Sequence, residues 1–295
     1  MSPPAAVPAE PTLGVVVLTR GDRQADLGRL LDSVALQDGP PIPVIVVGNG
    51  TDLPDLPDGV TGVELPGNVG IPEGRNIGVA KLDTDIVAFL DDDGRLGDAQ
   101  VGKRLRELFL DDPRLGVVSF RIVDPETGAS QRRHVPRLRA KDPMRSGPVT
   151  TFLGGACAVR RALLDEVGGL PGDFFYAHEE TDLAWRAMDA GWSLVYSADI
   201  VLYHPATSPS RHPGYFRLGA RNRVWLARRN LPWALVPVYL GVWLVITVAR
   251  LPEPRALSAW LSGFAEGWRT SCGPRRPMSW RTVWRMTRLG RPPVV

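Results

Sequence analysis

Three consecutive aspartates, Asp91-Asp92-Asp93, follow directly on the apolar run Ile86-Val87-Ala88-Phe89-Leu90. A short apolar run bounded by polar residues reads as a strand buried on both faces of a sheet, so the carboxylates stand at its carboxyl end. In extended backbone alternate side chains share a face, which puts Asp91 and Asp93 on one side and turns Asp92 away or toward a sugar. Two carboxylates together at the edge where α/β sheets bind ligands suit a hard divalent cation and the diphosphate it bridges. A solvated acidic turn has the same composition, so the triplet takes its meaning from its surroundings.

Upstream lies Asn68-Val69-Gly70-Ile71-Pro72-Glu73-Gly74-Arg75-Asn76-Ile77-Gly78. Its glycines permit close backbone approach, and a helix start carrying Arg75 can meet a phosphate or a ribose. Taken alone, Arg75 reads as a surface salt-bridge partner. Together with the strand-DDD segment, this stretch resembles the N-x-G-x-x-x-x-R-N-x-G and strand-DDD pairing of family 2 glycosyltransferases. The resemblance covers roughly residues 13 to 205. It implies a GT-A-type nucleotide-binding α/β fold, a nucleotide-sugar donor and a divalent metal, Mn²⁺ or Mg²⁺.

The resemblance also assigns expected roles. Arg75, Asn76, Asp91 and Asp92 fall among the nucleotide-sugar contacts, as do Thr19 and Arg20 at the end of the first strand. The second strand ends in Gly48-Asn49-Gly50 where an Asp-containing turn is usual, so Asn49 offers an amide in place of a carboxylate. Phe152-Leu153-Gly154-Gly155-Ala156 looks like the acceptor-side Gly-Gly segment. His178-Glu179-Glu180-Thr181-Asp182-Leu183 resembles the E-D-x-D-L segment that supplies the base of inverting members, with Glu180 standing where an Asp is usual. A base is required because a sugar hydroxyl is a weak nucleophile, and a carboxylate within reach can take its proton. Glu180 fits that role first and Asp182 second, although an Asp before Leu183 also suits a helix N-cap. Glu179 reads equally as an exposed carboxylate. His204, before Pro205, matches a histidine that completes the metal site with Asp91 and Asp93, or else is a buried structural histidine. An imidazole ligand leans the site toward Mn²⁺.

These residues need a scaffold, and the pattern supplies one. Leu13 to Leu18 and Val44 to Val47 are continuous apolar runs, and between them Leu27, Leu30, Leu31 and Val34 fall on one helical stripe that Asp22 or Asp26 can cap. Pro72 suits a first helical turn, giving a helix over 71–82. Val101, Leu105, Leu108 and Phe109 mark another helix, and 116–120 another strand. This alternation predicts a mostly parallel sheet covered by helices, a catalytic domain over residues 12–210. Residues 121–149 read as a long surface loop, a candidate acceptor-side flap, and two short strands are expected near Leu194 and Val201.

Charge divides the chain. Residues 211–295 hold fifteen arginines against Glu253 and Glu266, a balance of +13, which leaves −10 on the first 210 residues of a chain whose total is +3. Seven of nine tryptophans also lie there. Arg and Trp together predict a helical, membrane-associating region at the cytoplasmic face, peripheral or re-entrant. Leu231 to Ala249 lacks any charge over 19 residues, long enough for a single span as an alternative, but both flanks are Arg-rich. Leu257, Trp260, Leu261, Phe264 and Trp268 form one helical face suited to lying in the interface. Nucleic acid is not expected as a partner, since no nucleic-acid motif accompanies the basic residues. Cys157 and Cys272 are too few for a zinc motif or a disulfide framework, and the Pro/Ala-rich residues 1–11 read as a disordered tail without a signal-peptide core. The sequence therefore predicts transfer of a sugar to a glycan or lipid-linked acceptor, as in cell-envelope polysaccharide synthesis. A sugar-nucleotide nucleotidyltransferase and an inactive scaffold of the same fold are the alternatives.

Overall fold

The computed structural model describes residues 10–138, 142–205, 214–250 and 253–294. Most of the expected tail and the expected boundary near residue 210 lie outside the described residues.

The apolar runs form β1 (Leu13–Thr19), β2 (Val44–Asn49) and β4 (Ile86–Asp91), buried almost throughout. β1 pairs in parallel with β2 and β4, and β2 with β3 (Val60–Leu65). Helix α1 (Gln24–Ala35) buries the expected stripe of Leu27, Leu30, Leu31 and Val34, but its N-cap is Arg23 and neither Asp22 nor Asp26 caps it. Helix α2 (Ile71–Val79) lies close on the sheet. A Cβ at Gly74 would stand 2.5 Å from Leu18, and one at Gly78 2.5 Å from Val16, so these glycines set the helix-to-sheet distance.

The chain continues through β5 (Arg95–Leu96), α3 (Val101–Asp111), β6 (Leu115–Val123), β7 (Gly147–Pro148), β8 (Ala156–Arg160), α4 (Arg161–Val167), α5 (Glu179–Asp189) and β9 (Ser193–Tyr203). The sheet has nine strands in the order β3-β2-β1-β4-β8-β6-β9-β5, with β7 on β9. It is mixed, which corrects the expectation of a mostly parallel sheet. β8 lies antiparallel between β4 and β6. Among the described residues no α-helix links β6 to β8, and without a crossover helix a chain returning to its neighbour runs antiparallel. The two strands expected near Leu194 and Val201 are one, β9, which follows β6 across a register shift at Phe120/Arg121.

Four helices complete the fold: α6 (Tyr215–Asn230), α7 (Leu235–Arg250), α8 (Pro254–Arg269) and α9 (Trp280–Arg288). One apolar cluster joins Val16, Phe89 and Leu183 to Val224, Leu226, Tyr239 and Met286, so these helices share a core with the sheet. α8 crosses α6 at two glycines, since a Cβ at Gly263 would stand 2.0 Å from the Arg217 carbonyl and one at Gly267 2.7 Å from Val224. The expected interfacial stripe is thereby divided. Trp260 is buried and stacks on Phe264, whereas Leu261 and Trp268 face outward. Much of the tail's positive charge is used internally: Arg228 donates to the Gly267 and Thr270 carbonyls, Arg229 to the Cys272 carbonyl and Asp173, and Arg275 to the Leu231 carbonyl. Among the described residues no helix is long and apolar enough to cross a membrane, which removes the single-span reading of residues 231–249.

Candidate functional site

The acidic triplet sits where β4 ends beside β1. Asp91 is the last strand residue, and the chain then turns, with the Gly94 N–H donating to the Asp91 carbonyl at 2.9 Å. Asp91 and Asp93 converge because of this turn rather than through strand alternation. His204, the residue after β9, places Nε2 2.9 Å from Asp93 Oδ1 and 3.7 Å from Asp91 Oδ2. One ligand atom from each of the three lies within 4.8 Å of the others. The His204 Nδ1 is 2.7 Å from the Pro205 carbonyl, a partner that directs Nε2 toward the carboxylates. Burial works to lower the imidazole pKa, but Asp93 and Asp91 outweigh it and raise it to about 8. Burial likewise works to raise Asp93, and His204 outweighs it, holding Asp93 below the usual carboxylate range. The protonated ring thus stands among these carboxylates as a cation would, and the neutral ring offers a lone pair. Two carboxylates and an imidazole fit a divalent ion, Mn²⁺ better than Mg²⁺.

Asp92 turns away from this set. Its Oδ2 accepts from Thr19 Oγ1 at 2.7 Å and its Oδ1 from Arg23 Nη1 at 3.0 Å. Burial pushes its carboxyl up to about 6, against the pull of Thr19 and Arg23. Arg23 also donates to Asp93 Oδ2 at 2.7 Å, so one guanidinium joins two members of the triplet. Arg20, expected among the nucleotide contacts, is exposed, and it is Arg23 that meets the triplet. An arginine before α1, within reach of the β4 end, was the available signal for Arg23.

Arg75 is buried on α2, over the Phe89 ring, and donates to Asp91 Oδ1 at 3.0 Å. It is thus an interior partner of the acidic cluster and not a surface ion pair. Desolvation opposes its charge, while Asp91 and Glu180 favour it and leave its pKa raised. Gly154 and Gly155 close the gap between the two carboxylate groups. A Cβ at Gly155 would stand 1.9 Å from Asp91 Oδ2, and one at Gly154 2.3 Å from Glu180 Oε1 and 2.5 Å from Arg75 Nη1. No side chain fits there without displacing one of them.

Glu179 and Glu180 open α5. Glu180 is half-buried, and burial raises its pKa while Arg75 restrains the rise. Glu179, which the sequence allowed to be exposed, is 2% exposed and is raised by burial and then by Glu180. Asp182 does not face the cleft. It is fully buried, accepting from Arg186 Nε at 2.7 Å and from Asn230 Nδ2 of α6 at 2.7 Å. This corrects both readings of Asp182, as second base and as N-cap: His178 holds the cap position, without a side-chain bond.

Three asparagines act as clips. Asn76 was expected to meet the nucleotide-sugar, but its Nδ2 donates to the Leu170 carbonyl at 2.9 Å and its Oδ1 accepts from the Leu170 N–H at 3.0 Å. Asn49 accepts from the Val69 N–H at 2.9 Å and donates to Asn68 and Gly70, so its amide fixes the turn into α2. Asn222 of α6, which the sequence reading missed, is fully buried and donates from Nδ2 toward the carbonyls of Phe174, Tyr176 and Ala177 at 2.7–2.9 Å. That loop holds Phe175, Ala177 and His178 at positive φ, an uncommon state for residues with a Cβ. Phe175 in turn accepts from the Ile71 N–H at 2.8 Å, tying the loop before α5 to the start of α2.

A sheet whose parallel strands end at an Asp-Asp-His set, faced across two glycines by a carboxylate on a helix start, is a GT-A-like α/β arrangement. The chain belongs to glycosyl transferase family 2, whose profile matches residues 15–168. It is similar to the pre-mycofactocin glycosyltransferase of Mycobacterium tuberculosis (28% identical over 176 residues, 55% of this chain and 37% of that protein). It is also similar to the O-antigen chain rhamnosyltransferase RfbN of Salmonella typhimurium (29% over 141 residues, 44% of each). The chain spans less than half the length of these two curated relatives. Among solved structures, the mannosyltransferase PcManGT from Pyrobaculum calidifontis, in complex with GDP-Man and Mn²⁺, shares the fold with a TM-score of 0.56, at 19% identity over 92% of this chain and 80% of that one.

Proposed function

We propose that this chain is an inverting, metal-dependent glycosyltransferase that moves a sugar from a nucleotide-sugar donor to a glycan or lipid-linked acceptor. The observation that carries the reading is the Gly154-Gly155 pair, which holds Glu180 and Asp91 on two sides of one side-chain-free step. Asp91, Asp93 and His204 would hold the divalent ion, which when bound offsets the charge of a departing nucleoside diphosphate. Arg75 and Arg23 keep the carboxylates oriented, and Thr19 with Asp92 lines the side toward the ribose and base. Glu180 accepts the proton of the acceptor hydroxyl as that oxygen attacks the anomeric carbon from the face opposite the leaving group. The family membership, and the GDP-Man and Mn²⁺ bound to PcManGT, support a nucleotide-sugar donor and a metal. The rhamnosyltransferase relative supports a cell-envelope glycan as acceptor.

Attachment at the cytoplasmic membrane face belongs to the same proposal. Its support is the exposed apolar surface of α7 at Val238, Val245 and Val248, and the exposed Trp280 and Trp284 of α9 among Arg281, Arg285 and Arg288.

The test is a panel of nucleotide-sugars with Mn²⁺ present, reading transfer and donor hydrolysis, followed by NMR of the product anomer. Transfer with inversion that disappears on chelation is expected. Retention of configuration, or undiminished transfer in EDTA, would overturn the mechanism.

A further inference from the structure

A second cavity, of about 180 Å³, opens beside the start of α5. Thr150 and Thr151 line it, as do His178 and Thr181, Arg223 of α6, Trp243 of α7 and Arg291 beyond α9. Its position relates it to the cleft. Thr151 lies three residues before Gly154, roughly 10 Å of extended chain, and His178 and Thr181 bracket Glu179-Glu180.

The lining is cationic. Among the described residues no carboxylate lies within ion-pair distance of Arg223 or Arg291, whereas most arginines of the same helices are paired or bonded to carbonyls. Arg223 is fixed in place: its guanidinium stacks 3.6 Å from the Trp243 ring centroid and its Nη1 donates to Tyr239 Oη at 3.1 Å. That leaves Arg223 Nε buried without a partner, and two further buried polar atoms of the lining, Trp243 Nε1 and Thr150 Oγ1, are in the same state. Buried donors are rarely left unpaired, and two N–H groups and a hydroxyl on residues that line one cavity call for an acceptor there. Burial and mutual repulsion between the arginines lower the pKa of Arg291, and with the same neighbours burial lowers that of His178. An anion in the cavity would relieve both.

We propose that this cavity is an anion subsite for the acceptor, binding a phosphate-like group through Arg223, Arg291, Trp243 Nε1 and Thr150 while the acceptor hydroxyl reaches Glu180. The inference rests on the transferase reading and names the chemical class of its acceptor, a glycan or lipid that carries a phosphoryl group. Tyr239 and Trp243 place the cavity at the foot of the exposed apolar helix α7, so a phosphorylated lipid would lay its chain along that helix.

The experiment titrates the full chain, first with inorganic phosphate and then with decyl phosphate, in EDTA so that the metal set is silent. Wild type is compared with Arg291→Gln, Arg223→Gln and Arg291→Lys. Phosphate affinity should fall at least about tenfold in each Gln variant and recover in part in Arg291→Lys. Thermal melting and Mn²⁺ binding report the fold of each variant. If decyl phosphate binds more tightly than phosphate, the source is a lipid headgroup, and equal affinities indicate a soluble phosphorylated glycan. Phosphate binding that is absent, or identical in wild type and folded Arg291→Gln, would overturn the subsite. Absence of transfer from every donor, with arginine-dependent phosphate binding intact, would instead sink the transferase reading and leave the subsite standing.

Discussion

Single side chains divide the labour at the cleft. Glu180→Gln removes the proposed proton acceptor but keeps the shape, so transfer should fall roughly 10²- to 10⁴-fold while nucleotide binding stays near wild type, measured by turnover and by calorimetry. Gly155→Ala would set a methyl on the Asp91 carboxylate, and loss of Mn²⁺ binding in a folded protein is the expected result. Glu179 offers a pH test whose sign follows from burial. Its folded pKa is raised, so the stabilisation from its neutral form is complete below the unfolded value and is lost as pH rises through the folded one. Glu179→Gln should therefore melt like wild type near about pH 4 and higher than wild type near about pH 9, by scanning calorimetry. The triplet was legible because it follows an apolar run, and Arg75 and Glu180 because their segments resemble those of a known family. Arg23 and Asn222 were not, since each acts on residues far along the chain, 69 or 70 positions away for Arg23 and 45 to 48 for Asn222.

At the scale of elements, α6 governs α5. Asn230 and Asn222 reach from α6 to Asp182 and to the loop before Glu179, so the helix that carries the proposed base is held from behind. Asn222→Ala would leave three carbonyls without this donor, a loss of about 1–3 kcal/mol or more by denaturant titration. Turnover should drop with little change in donor affinity. Asp182→Asn breaks a buried ion pair with Arg186, and destabilisation of about 3–5 kcal/mol is expected. If Asp182 were instead a base, the mutant would melt normally and fail only in catalysis. Apolar runs predicted β1, β2 and β4 well because buried strands have little freedom in composition. The antiparallel entry of β8 escaped, because strand direction is set by the connection and not by the strand's own residues.

For the whole molecule, the charge division in the sequence acquires a different meaning. Arginines expected at lipid instead close carbonyls between α6, α8 and the segment after α8, and on α9 Arg281 and Arg288 remain outward. Lipid attraction should accordingly depend on α9. Neutralising Arg281 and Arg288, the exposed pair, should weaken sedimentation with phosphatidylglycerol vesicles about tenfold or more, with phosphatidylcholine vesicles as the baseline.

The position of His204 after the last strand also sets an order of assembly. Asp91 and Asp93 leave the ribosome more than a hundred residues before their imidazole partner, and Asn222 follows later still. During synthesis β1 to β4 can pair while the acidic cluster has Arg75 and Arg23 as its only cations. Docking of β9 between β6 and β5 then brings His204 in, so a long-range strand insertion and completion of the proposed metal set are one event. Such non-local closure is slow. Divalent ion present during refolding should therefore slow the unfolding of the finished sheet more than it speeds the pairing of the first four strands.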